Sequence, residues 1–210
     1  MNSALRGRFV IIAPRLQDAV LSLGATIANA AREGSNVEIV TVFSSQSEDQ
    51  FACSLLGASA HWLSVDGIQC DATARESYVV DAVQRWTADA DVIAIPGVPL
   101  VNAGDAWISE ILLRRGLDHR RVALYAEQPA WFKQRRQNSE LCASARLQPF
   151  LNDIVRWTLH GSTAHDRNAK RMAARAYGSH RMRTRMPFSA LNRLLGYEFT
   201  MGGEPLGWID

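Results

Sequence analysis

The sequence predicts a single α/β domain over residues 1–210, Rossmann-like, with a mostly parallel sheet covered by helices on both faces. Three observations predict it. Short, unbroken apolar runs alternate with stretches of helical periodicity, the pattern of βαβ units whose strands are buried on both faces. Glycines stand where the helical stretches must stop. The length of 210 residues suits one domain with a full hydrophobic core.

The elements follow in order. Phe9 to Pro14 is the first apolar run and reads as a buried strand. Val20, Leu21, Leu23, Ile27, Ala28 and Ala31 then recur at helical spacing, closed by Gly34. Val37 to Phe43 is a second strand, Ser47 to Leu56 a helix stopped by Gly57, and His61 to Val65 a third strand. Ala72 to Trp86 is a helix with Tyr78, Val79, Ala82, Val83 and Trp86 on its apolar side. Asp91 to Pro96, Gly104 to Arg115 and Arg121 to Ala126 read as strand, helix and strand. Beyond Trp131 the pattern changes. Residues 132–148 read as a polar loop or hairpin, Leu151 to Leu159 and Ala169 to Tyr177 as helices, Phe188 to Leu195 as a short helix, and Tyr197 to Met201 as an edge strand.

Composition excludes several classes. A net charge of +2 with 21% charged residues gives no global drive toward nucleic acid. Three cysteines, Cys53, Cys70 and Cys142, are odd in number and contain no CxxC pair, which argues against a disulfide framework or a zinc ribbon. No stretch approaches twenty apolar residues, and Met1 to Arg8 lacks the layout of a signal peptide. A cytoplasmic protein with no membrane partner is the expectation.

Ligands of such sheets bind beyond the carboxyl ends of the strands. Those ends are Pro14 to Asp18, Ser44-Ser45, Pro96 to Asp105 and Glu127 to Pro129, four segments converging on one crevice. The run Ala13-Pro14-Arg15-Leu16-Gln17-Asp18, followed by Gly24-Ala25-Thr26-Ile27-Ala28, resembles the signature of the PIG-L/LmbE-like zinc N-deacetylases. There the first strand ends in His-Pro-Asp-Asp-Glu before a Gly-rich helix and Thr-Ile-Ala. Leu55-Leu56-Gly57 before His61-Trp62-Leu63, then Tyr125-Ala126-Glu127-Gln128-Pro129, and finally Lys170, Ala173 and Tyr177 to His180 resemble later segments of the same family, in order.

The resemblance implies an N-acetyl-sugar hydrolase fold with one zinc. Its His and second Asp bind the metal, its first Asp is the general base, and a later segment supplies a third ligand and an assisting His. At those positions this chain has Arg15, Gln17 and Asp18, and the later segment, Val101 to Ala106, has Ala103 and Ala106 around Asp105. Residues 87–118 contain no histidine. Arginine stays protonated and only donates, glutamine is not basic, and alanine offers no donor atom. The expectation is therefore a metal-free, catalytically degenerate relative with no cofactor, in which Arg15 replaces the metal electrostatically and pairs with Asp18. Its ligand-binding residues would be Arg15, Gln17, Asp18, Asn102, Asp105 and Trp107, taking a small polar or sugar-like molecule or running other chemistry. Two alternatives stand beside this: an active zinc hydrolase with ligands that one sequence does not reveal, and a non-catalytic partner-binding protein.

The remaining candidates are weaker. The five histidines show no HxxH or HxxxH pair. Ser22, Ser44 and Ser45 lack a GxSxG elbow, and the first loop lacks GxGxxG, so no dinucleotide is implied. Arg167, Lys170, Arg171, Arg175, Arg181, Arg183 and Arg185 form a basic segment. It reads as an anion-binding face or, more simply, as a solvated face or a contact in a homo-oligomer; nucleic acid is not favoured. Trp107 reads as crevice wall or core packing.

Overall fold

The computed structural model describes residues 5–43, 49–65, 71–100, 103–115, 117, 121–128, 130–135, 146–151, 155–161, 163–176 and 188–209. Seven strands form one sheet in the order β3-β2-β1-β4-β5-β7-β6. β1 (Arg8–Ala13), β2 (Asn36–Thr41), β3 (Ser59–Trp62), β4 (Val92–Val98) and β5 (Arg121–Ala126) run parallel. β7 (Glu204–Ile209) lies antiparallel between β5 and β6 (Arg156–His160). The expected single mixed α/β domain is observed.

The unbroken apolar run of β1 has a direct cause. Phe9, Ile11 and Ala13 enter one core, Val10 and Ile12 the other, and all five are fully buried. Helices α1 (Leu16–Arg32), α2 (Asp49–Leu56), α6 (Ala164–Ala176) and α7 (Phe188–Met201) cover the first face. Helices α3 (Ala72–Thr87) and α4 (Ala103–Arg114) cover the second. Helix α1 ends as its sequence predicts: Gly34 takes φ +90°, open to glycine at no steric cost, and its N–H donates to the Ala31 carbonyl.

The C-terminal third departs from expectation. Residues 130–135 form a short helix, α5 (Ala130–Arg135), where a loop or hairpin was expected. Residues 156–159, expected within a helix from Leu151 to Leu159, belong instead to strand β6, because β7 offers a ladder from Arg156↔Trp208 to His160↔Glu204. Residues 197–201, expected to be an edge strand, continue helix α7, whose buried positions Leu191, Leu194, Leu195 and Glu198 recur at helical spacing. The last strand is formed by residues 204–209 instead.

A buried charge cluster attaches these C-terminal elements to the rest. Lys170 of α6 is fully buried and donates to Glu198 of α7 at 2.7 Å and to Glu204 of β7 at 2.6 Å. Glu204 in turn accepts the backbone N–H groups of Ala25 and Thr26 in α1 at 3.0 and 2.7 Å. The lysine stem passes over Gly24, where an added Cβ would meet Lys170 Cγ at 2.7 Å. Burial works against the Lys170 charge, but Glu198 and Glu204 outweigh it and hold its pKa above the ordinary value. Burial, against the pull of Lys170, pushes the Glu198 carboxyl up to about 8.

Lys170 therefore does not belong to a free basic face. Of its neighbours, Arg167 stacks its guanidinium 4.4 Å from the Phe199 ring centre, while Arg181, Arg183 and Arg185 lie outside the described residues. Cys53 is buried in the first core, and Cys70 and Cys142 lie outside the described residues. Among the described residues no helix is long and apolar enough to cross a membrane.

Two predictions follow from the charge cluster. Replacing Lys170 with Met leaves two buried carboxyl groups, Glu198 and Glu204, without their cation. It should cost roughly 3–5 kcal/mol of stability in urea unfolding; a loss below about 1 kcal/mol would rule out the anchoring role. The second concerns pH. The unfolded chain releases the Glu198 proton near 4.5, whereas the folded protein keeps it to about 8. Stability from this group is thus fully present below 4.5 and falls away as pH rises through 8. Glu198→Gln should flatten the decline in melting temperature measured between pH 5 and pH 9.

Candidate functional site

The crevice lies where the strand order reverses, between β1 and β4, at the carboxyl ends of the strands. Two helices are tied to those ends one turn below their functional residues. On α4, Ser109 donates its hydroxyl to the Pro96 carbonyl at 2.6 Å, which sets Asp105, four residues earlier on the same face, over the end of β4. On α1, the Ser22 hydroxyl accepts the Gln128 N–H at 3.0 Å, which sets Asp18 on the same face beside the end of β5. Ser22, weighed above as a nucleophile, is thus a buried tie between α1 and the β5 loop. Ser44 and Ser45 lie outside the described residues.

Arg15 is the N-cap residue of α1, with extended backbone at φ −138° and ψ 156°. Its side chain has no acceptor atom, so only half of a capping box forms: Asp18 Oδ2 accepts the Arg15 backbone N–H at 3.1 Å. The expected side-chain pair between Arg15 and Asp18 is not made. The carboxylate serves the backbone of Arg15, and among the described residues the guanidinium forms no ion pair within 4.0 Å, although its charge does act on Asp18. Gln17 is half-buried in the first turn of α1. Trp107 is half-buried at the start of α4, its ring 6.1 Å from that of Phe43, and both pack on the second core. Gly104 permits this wall, since a Cβ there would come within 3.0 Å of the Phe43 ring. Asn102 lies outside the described residues.

The structure adds residues that were not assigned from sequence. Glu127, directly after β5, is buried and hydrogen-bonded to Asp105. Burial first, then the charges of Asp105 and Asp18, push its carboxyl up to about 10. At neutral pH it is therefore an acid that donates to the Asp105 carboxylate. Desolvation, then Asp105, likewise lifts Asp18 to about 7, against the pull of Arg15. Asp18 is part-exposed by surface area yet walled in by the crevice, which is how both statements hold. Beneath them Tyr125 is fully buried, and burial with the charge of Glu127 raises its phenol well above 10. Gln128 caps α5 by accepting the Phe132 N–H at 3.3 Å, leaving its buried Nε2 without a partner; the Glu127 Oε1 is likewise without one. The sequence signal for Glu127 was its position at a strand's carboxyl end.

Among the described residues no group of three or more His, Cys, Asp or Glu is arranged to hold a metal ion. The described histidines lie elsewhere. His61 pairs with Glu38 at 3.1 Å and stacks on Trp86, His160 ends β6, and His165 is exposed on α6.

This architecture is the fold of the LmbE/PIG-L-like deacetylases, as the sequence motifs implied. The zinc-inhibited form of the teicoplanin deacetylase Orf2 matches it with a TM-score of 0.75 at 17% identity, over 97% of this chain and 98% of that one. N,N'-diacetylchitobiose deacetylase from Pyrococcus horikoshii matches at TM-score 0.50 and 14% identity, over 96% and 82% of the two chains. GalB of Pseudomonas putida KT2440, a 4-carboxy-2-hydroxymuconate hydratase, matches at TM-score 0.60 and 10% identity, over 97% and 95%. No protein-family model matches the sequence, and no curated protein matches it significantly.

The state of Glu127 gives a prediction. Glutamine keeps a neutral donor to Asp105, so Glu127→Gln should move the melting temperature by less than about 2 °C. Glu127→Ala removes the donor and should lower it by roughly 3–8 °C. Equal effects of the two variants in calorimetry would contradict a protonated Glu127.

Proposed function

We propose that this protein is a metal-free, catalytically degenerate version of the N-deacetylase fold, whose crevice binds a small polar or sugar-like molecule or runs chemistry other than zinc hydrolysis. The observation that carries this reading is the donor set at the crevice. Arg15 stands at the tip of β1 beside Asp18, and among the described residues the acids that interact with Asp18 there are Asp105 and Glu127, the last holding its proton to about pH 10. A hydrolytic zinc needs three donors, usually imidazoles, and an open position for water. Ala103 and Ala106 supply none, and the Arg15 guanidinium only donates and repels a cation. These residues do not fit a zinc centre.

What they fit is a polar ligand. The Arg15 guanidinium and the Gln128 amide are donors, Asp18 and Asp105 are acceptors, and the Phe43–Trp107 pair is a wall on which a ring can lie. The similar proteins support both halves of the proposal. One is described by a sugar substrate, diacetylchitobiose, and another as a hydratase rather than a deacetylase. A fold of this kind hosts more than one chemistry, so the site decides.

Plasma mass spectrometry on protein purified without chelator should find far less than one zinc per chain, unchanged by Asp18→Ala. Stoichiometric zinc that disappears in Asp18→Ala would overturn the metal-free reading. A thermal-shift screen of N-acetyl sugars, nucleotide sugars and acyl amides should yield a ligand that raises the melting temperature of the native protein but not of Arg15→Ala.

A further inference from the structure

A second cavity lies at the other end of α1. It has a volume of about 330 Å³ and is bounded by the last turn of α1, the segment before β1 and the β6–α6 turn. Helix α1 rises about 1.5 Å per residue, so Asn29 on its wall lies roughly 16 Å along the axis from Asp18. The cavity is separate from the crevice.

Its floor is His160, only 7% exposed. The ring is oriented by a short relay. Trp208 Nε1–H donates to Thr158 Oγ1 at 2.8 Å, and that hydroxyl lies 2.8 Å from His160 Nε2 but 3.4 Å from the Leu206 carbonyl. The hydroxyl accepts from the indole, and its contact with Nε2 is a hydrogen bond in either ring tautomer. Burial lowers the His160 pKa, so the ring is neutral at pH 7, and among the described residues only its Nε2 is hydrogen-bonded, which leaves Nδ1 as the ring's other donor or acceptor. Asn29 is oriented by two longer contacts. Its Nδ2 donates to Glu33 at 3.4 Å and Asp166 at 3.3 Å, which leaves its carbonyl oxygen as an acceptor on the wall. Ser35 gives its proton to the Leu5 carbonyl at 2.7 Å and so offers lone pairs. Leu5, Ala30 and Leu159 supply apolar surface between these groups. Gly161, at φ +69°, lets the turn press against α1, where an added Cβ would lie 2.3 Å from the Thr26 nitrogen. The charged groups, Arg6 and Glu33, are exposed, of opposite sign, and lie at the rim.

We propose that this cavity is a binding site for a neutral, hydroxyl-rich molecule of about one sugar ring. Uncharged donors and acceptors converge on a floor with apolar patches between them, which matches alternating hydroxyl and C–H surfaces. The opposed rim charges give no preference for an anion.

The test uses the whole protein with D-glucose, N-acetyl-D-glucosamine and myo-inositol as probes at about 50 mM, and inorganic phosphate as the charged control. At least one neutral probe should raise the melting temperature by roughly 1–3 °C in the native protein and in Asp18→Asn, and not in Asn29→Leu. Asn29→Leu forfeits only two long hydrogen bonds and should fold. Titrating the same probe into protein labelled with 15N-histidine should move the His160 Nδ1 resonance, without relying on any variant. No shift with any neutral probe, a shift that survives Asn29→Leu, or a shift with phosphate alone would overturn the proposal. A shift abolished by Asp18→Asn would also overturn it, because it would place the binding in the crevice. A negative result here with a positive screen at Arg15 would leave the proposal for the crevice intact.

Discussion

The ammonium group of Lys170 is the point on which the arrangement of the second half turns. It is buried between two carboxyl groups and draws together α6, α7 and β7, while Glu204 extends the network into the backbone of α1. A buried charge of this kind is stabilising only when complete, because each member's desolvation is offset by the others alone. Gly24 is part of the same device, since no other residue leaves room for the lysine stem to lie against the helix. With β7 held beside β5, the loop carrying Glu127 and Gln128 has a fixed base.

The crevice shows the same physics with the opposite result. Both places bury carboxyl groups. In the charge cluster a cation sits at hydrogen-bond distance, and Glu204 accepts from three donors. In the crevice the Arg15 guanidinium lies at the helix cap and, among the described residues, forms no ion pair with the acids, so Glu127 solves its desolvation by keeping a proton. An acid that is neutral at pH 7 can donate, so the crevice offers donors and acceptors side by side, where three ionised carboxylates would offer acceptors only.

The first two-thirds of the fold was legible because its strands are buried on both faces and its helices on one, so period and composition carry the information directly. Runs such as residues 9–13 and 92–96 have no competing reading. The C-terminal third was not, because its determinants are distant in sequence. Strand β7 contains Pro205 and Gly207, both poor strand formers. Gly207 is required because Val155 and Trp157 cross over it, a Cβ there meeting Val155 Cγ1 at 2.5 Å. Helix α7 buries Glu198 on its apolar side, which breaks the hydrophobic period unless the partner lysine is known. The acid positions at the crevice were partly legible: Asp18 and Asp105 from the motif, Glu127 only as a member of a converging segment. That Asp18 caps a backbone N–H, rather than pairing with the Arg15 side chain, depends on geometry that spacing does not encode.

The placement of β7 has a consequence for how the chain is made. Strand β7, which follows β6 in sequence, is interior to the sheet, wedged between β5 and β6. Until residues 204–209 emerge from the ribosome, β6 has no neighbour to pair with, β5 presents an open hydrogen-bonding edge, and Lys170 lacks one of its two carboxylates. A chain without residues 204–209 would thus carry a sticky, half-finished sheet, which closes only when β7 inserts between its two neighbours.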